Sequence, residues 1–150
     1  MVDLSKFLET LDKVSDNCCE DNGKTYINFD KANDNIATAD CLIIKDSYFL
    51  LVEFKKIDEV ENIEEWIKDK KRNQQILLKA YESYFLLKSL KVIKNFENIE
   101  KRFIFVYKSS DSYKEKIKNH FKNKLDRVKI AYNSVLVLEC KNFKNLLERL

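Results

Sequence analysis

The sequence predicts an α/β fold, on the border of α+β, in which a mixed β-sheet is flanked by helices. Three observations carry this expectation. Short β-branched and aromatic runs alternate with longer stretches of helical periodicity. Two of the apolar runs are separated only by Asp46-Ser47, a hairpin signature. At 150 residues and 45% apolar, the chain is long enough for one well-buried core and too short for two ordinary domains. With no proline and one glycine, no linker divides it, so residues 1–150 are expected to form a single domain.

Leu4, Phe7, Leu8, Leu11 and Val14 recur at helical spacing behind Asp3, a capping residue, which predicts an amphipathic helix from residue 3 to about residue 16. Asn22-Gly23 marks a turn, and residues 25–29 read as a first strand. The hairpin follows at 39–45 and 48–55, where apolar residues run almost continuously, as in strands buried on both faces. An acidic connector from Asp58 to Glu65 then leads into a long helix, capped by Asp58 or Asn62. Its apolar face carries Ile63, Trp66 and Ile67, then Leu77, Ala80, Tyr81, Tyr84 and Leu87, with the polar, mainly basic stretch 68–75 between them. Residues 102–107 are expected as a strand, and Ser112 with Glu115 as a capping box that opens a helix to about Lys124. A last strand at 135–138 and a short helix at 143–150 complete the order.

Composition excludes several classes of function. The longest apolar runs, Tyr48 to Val52 and Phe103 to Tyr107, fall far short of the roughly 20 residues that a membrane-spanning helix needs. The N-terminus lacks a basic segment followed by an apolar one, so a cytoplasmic location is expected. Cys18, Cys19, Cys41 and Cys140 include no Cys-x-x-Cys pair and His120 is the only histidine, so a structural zinc site is hard to assemble and reduced thiols are expected. The net charge of +3 hides an asymmetry: residues 1–100 hold 15 basic and 20 acidic side chains (−5), and residues 101–150 hold 13 and 5 (+8). A basic stretch including Lys114, Lys116, Lys118, Lys122, Lys124, Arg127 and Lys129 suits a phosphate backbone or, equally, an ordinary solvated surface.

Two carboxylates interrupt the hairpin strands. If Asp46-Ser47 is a two-residue turn, Lys45 pairs with Tyr48, and counting outward sets Asp40 across from Glu53 on one face. Lys55, two residues beyond Glu53, shares that face, while Val52 and Phe54 point away. Like charges that face each other in an apolar strand pair repel, and a divalent cation between them turns repulsion into attraction. The ordinary alternative is a strand-end salt bridge at an open sheet end.

Asp40, Glu53 and Lys55, with the hairpin that carries them, resemble the active site of the PD-(D/E)XK nuclease superfamily, an acidic residue followed by Glu-x-Lys on a hairpin of a mixed sheet. The family's core order of helix, three strands, helix and strand fits residues 3 to about 107, which leaves a C-terminal α/β extension, and Ala39 replaces the proline of the family's name. The resemblance implies a restriction-endonuclease-like fold and metal-dependent hydrolysis of DNA phosphodiester bonds. Mg2+ or Mn2+ would be held by Asp40, Glu53 and the backbone carbonyl of Phe54, and Lys55 would assist the attacking water. It also implies a further acidic ligand from the first helix, for which Glu9 and Glu20 are the candidates. Lys71 and Gln75 on the polar helical stretch could reach a phosphate or a DNA strand. A homodimer or a delivery partner is the expected protein contact, and no membrane is.

The triplet alone is weak, because 13 Glu and 24 Lys in 150 residues give about two Glu-x-Lys by chance, and there are two. In the other, Glu139-Cys140-Lys141, a turn at Asn133-Ser134 would set Asp126 opposite Lys141 rather than opposite Glu139, so carboxylates would not meet. The leading functional alternatives are a catalytically inactive nuclease-fold module that binds nucleic acid or a protein, and an interaction protein that assembles through its charge asymmetry.

Overall fold

The structure, a computed structural model, describes residues 3–32 and 36–150. Its centre is one mixed sheet of six strands in the order β1 to β6. The strands are β1 (Leu8–Thr10), β2 (Thr25–Asn28), β3 (Cys41–Ile44), β4 (Tyr48–Lys56), β5 (Glu100–Lys108) and β6 (Ser134–Glu139). Strands β1 to β4 pair antiparallel, and β4, β5 and β6 pair parallel. Parallel neighbours need crossovers, which the helices supply. After β4 come α2 (Ile63–Lys68) and α3 (Lys70–Leu90); α4 (Lys114–Leu125) joins β5 to β6, and α5 (Cys140–Glu148) closes the chain. A mixed α/β architecture with a helix-flanked sheet is therefore what the chain adopts.

Both faces of the sheet are covered. Leu42, Leu51, Phe103 and Phe105 meet Ile76, Ala80 and Leu87 of α3 and Ile117 and Phe121 of α4. On the other face Val52, Phe54, Ile104 and Val106 meet Leu11, Val14, Phe143 and Leu147. Residues 49–54 of β4 are all buried, which explains the near-continuous apolar run. No helix among the described residues is long and apolar enough to cross a membrane.

Four expectations need correction. The helix expected over 3–16 is instead a 3-10 turn (Leu4–Phe7), strand β1 and the helical turn α1 (Leu11–Val14). Leu4 joins the core of the α3 face and Leu11 and Val14 that of the opposite face, and one straight helix would not deliver them to both. The long helix is two, because Asp69 is extended and its side chain accepts from the Arg72 N–H, starting α3 afresh. Asn62, one of the two expected caps, accepts from the Glu65 N–H and opens α2. The Ser112/Glu115 capping box does not form, since Asp111–Tyr113 is a 3-10 turn and α4 starts after Tyr113 without a side-chain cap. The thiols are not all reduced: Cys19 and Cys140 form a disulfide across 121 residues, while Cys18 and Cys41 are free and buried.

Candidate active site

The hairpin register is the one the turn dictates. Cys41 pairs with Val52 and Ile44 with Phe49, and the Lys45 N–H donates to the Tyr48 carbonyl. One step beyond the last pair, Asp40 faces Glu53. Two anchors hold this end: the Phe29 N–H donates to the Asp40 carbonyl, and the Ala39 N–H donates to Ser83 Oγ of α3 at 2.7 Å. Ser83 is fully buried, so it fixes how the strand entry sits against the helix.

Glu53 has no accessible surface. Its Oε2 accepts from Lys79 Nζ at 2.9 Å and lies 3.3 Å from Lys55 Nζ, whereas its Oε1 is buried with no hydrogen-bond partner. Asp40 Oδ2 accepts from the Phe54 N–H at 2.8 Å. Burial first, and then the neighbouring Glu53 carboxylate, push the Asp40 carboxyl well above the usual carboxylate range; the Phe54 N–H and Lys79 oppose this without overcoming it. Burial pulls the Lys79 ammonium down, but Glu53, followed by Asp40 and Asp30, outweighs it and raises its pKa. The result is a compact group of two carboxyl groups and two lysine side chains, the latter about one-quarter exposed at its mouth (29% for Lys55, 25% for Lys79).

The structure thus brings Asp40, Glu53 and Lys55 together, with Phe54 entering through its N–H. It does not bring Glu9 or Glu20. Glu9 pairs with Tyr26, on the sheet face opposite Glu53, and accepts from Asn28 Nδ2 at 2.8 Å and from Lys31. Those two hydrogen bonds, Lys31 first, hold its carboxyl below the usual range. Glu20 lines a separate cavity with Tyr107, Lys114, Glu139 and Cys140. Lys71 and Gln75 lie exposed on α3, with Gln75 one turn before Lys79. Lys79 itself was not anticipated. The signal for it is the one that singled out Glu53, a charge inside an apolar run, here Ile76, Leu77, Leu78, Lys79, Ala80 and Tyr81.

Among the described residues, no group of three or more His, Cys, Asp or Glu side chains is placed to hold a metal ion. The donors at this site are two carboxylates. That set still fits magnesium, which binds through one or two carboxylates and keeps waters or substrate oxygens as its other ligands. Glu53 Oε1, buried beside Asp40 and with no donor other than the Asp40 carboxyl when that group holds its proton, is the atom such an ion would satisfy.

No family model, curated protein or solved structure matches this chain.

Proposed function

We propose that this chain is a metal-dependent nuclease of the restriction-endonuclease-like kind, which hydrolyses DNA phosphodiester bonds at Asp40, Glu53 and Lys55. The observation that carries the reading is Glu53: a fully buried carboxylate with the Asp40 carboxyl beside it, two lysines on one oxygen, and no donor on the other while Asp40 is ionised. Mg2+ or Mn2+ held there would polarise the phosphodiester and lower the pKa of a bound water. Asp40 and Glu53 would hold the ion, with the Phe54 carbonyl as the further ligand that the resemblance supplies. Lys55, partly exposed and already near Glu53, would release its hold on Oε2 to orient that water. Lys79 would stay on Glu53, fixing the carboxylate and offsetting charge that develops on the phosphoryl oxygens.

One observation favours a second reading, a non-catalytic binding module: the two lysines on Glu53 Oε2 already compensate its charge from within the protein. The two readings separate in a cleavage assay. Supercoiled plasmid and single-stranded DNA are incubated with magnesium, manganese or EDTA and with wild type or Lys55→Ala. The nuclease reading predicts cutting that needs metal and is lost in the variant. Two folded proteins that both fail to cut, or that cut equally, sink it.

A further inference from the structure

A groove where α2 and α3 meet α4 and the segment after it is lined by several cationic side chains and no carboxylate. It encloses about 400 Å3 and is lined by Lys68, Lys70, Gln74, His120, Lys124 and Arg127, with Asn73, Ile67 and Leu77 behind them. Lys68, Lys70, Lys124 and Arg127 are exposed and make no ion pair within 4.0 Å among the described residues. Of the neighbouring carboxylates, Asp69 pairs with Arg72, Asp126 with Lys129 and Glu64 with Lys116, although Glu64 also acts electrostatically on Lys68. The floor is fixed, since Asn73 Nδ2 donates to the Ile67 carbonyl at 2.9 Å and Asn73 Oδ1 lies 3.3 Å from His120 Nε2. The far wall is tied to α3 by the Tyr81 hydroxyl, which donates to the Arg127 carbonyl at 3.0 Å. Burial, and then Lys124, lower the His120 pKa, so the ring stays neutral and the four other cations carry the charge.

We infer that this groove is a second anchor for a nucleic-acid backbone, with Lys68, Lys70, Lys124 and Arg127 as its phosphate contacts. Four exposed cations with no ion-pair partner within 4.0 Å among the described residues, around a fixed floor, suit a polyanionic sugar–phosphate chain. The position on α3 joins the groove to the active site. Gln74 and Lys79 lie on opposite flanks of the helix, about 140° apart, and the exposed Lys71 falls between them on the outer ridge. A strand that leaves Glu53 and Lys79 crosses that ridge, a path of about 15 Å once the axial rise of five residues is included, and reaches the groove. This deepens the nuclease reading by naming where substrate is held away from the scissile bond, and it rests on that reading for the kind of ligand.

Binding is measured without metal, so that it is independent of cleavage. Fluorescence anisotropy of labelled 20-nucleotide DNA, single-stranded and duplex, is followed in EDTA from 50 to 200 mM salt. Four phosphate contacts account for an affinity loss of about 50- to 150-fold over that range. Lys124→Gln/Arg127→Gln is expected to shrink the loss by about 7- to 12-fold. Lys68→Gln/Lys70→Gln should do the same from the other wall and stands in if the first variant does not fold, while Lys118→Gln/Lys122→Gln on α4 outside the groove changes the slope less. Equal slopes for folded groove variants and wild type overturn the inference, as does weakened binding of poly-glutamate with DNA binding unchanged. If groove variants lose DNA while wild type never cuts, the groove stands and the nuclease reading falls. If wild type cuts while groove variants bind normally, the reverse holds.

Discussion

The chain holds two Glu-x-Lys triplets, each at the end of a strand that flanks β5, and the structure treats them in opposite ways. At Glu53-Phe54-Lys55 the strand runs on to Lys56, so Lys55 stays on the face of Glu53. At Glu139-Cys140-Lys141 the strand stops at Glu139 and α5 begins at Cys140, so Lys141 is carried off into a helix. Glu53 is fully buried beside Asp40, and Glu139 keeps 22% of its side-chain surface exposed with Lys114 at 3.2 Å. Cys140, in the middle of the second triplet, is bonded to Cys19. Asp126, which shares the spacing of Asp40, lies in the 3-10 segment Asp126–Ile130 and pairs with Lys129. A motif of three residues therefore becomes a candidate site only where the strand continues past it and a neighbouring chain segment delivers a second carboxylate.

The largest expected effect breaks this comparison directly. Glu53→Gln should lower metal-dependent cleavage by about 10²–10³-fold, the usual cost of removing a group that acts electrostatically on the reacting atoms. Glu139→Gln should leave the rate near that of wild type. Equal losses measured by plasmid relaxation would mean that the triplets are not functionally distinct.

A second effect concerns stability. The Cys19–Cys140 bridge spans most of the chain, and replacing both cysteines by serine should cost about 2–4 kcal/mol, read by urea unfolding under non-reducing conditions. No loss would show that the bridge adds nothing to the second triplet's surroundings.

The smallest effect sharpens the account of the first triplet. Below the ordinary carboxylate range, both native and unfolded states hold the Asp40 proton. Between that range and the raised native value only the native state holds it, so stability falls as pH rises through that window. Asp40→Asn keeps an acceptor for the Phe54 N–H and removes the titrating proton, so it should flatten that slope. Thermal unfolding from pH 4 to 8 reads it, and an unchanged slope would mean that the native Asp40 pKa is not raised.

The hairpin was legible because Asp46-Ser47 fixes a register that burial then enforces; the same count that pairs Lys45 with Tyr48 brings Asp40 to Glu53. The mixed α/β class followed from alternating periodicities. The N-terminal segment was misread because helical spacing in Leu4, Leu11 and Val14 coincides with service to two different faces of the sheet. Lys79 and Ser83 lie on a helix whose rotation against β4 is set by packing, so their arrival at the site depends on contacts that no local pattern records. The Cys19–Cys140 pairing was hidden for a related reason, since spacing does not decide which cysteines meet.

The central claim, that Asp40 and Glu53 form a seat for a divalent cation, is tested most directly by thermal unfolding of wild type and Asp40→Ala with and without magnesium. The account predicts a rise in wild-type stability with magnesium, about 2.7 kcal/mol at a hundred times the dissociation constant, and none in Asp40→Ala. A wild type indifferent to magnesium, or an equal rise in both proteins, would contradict it.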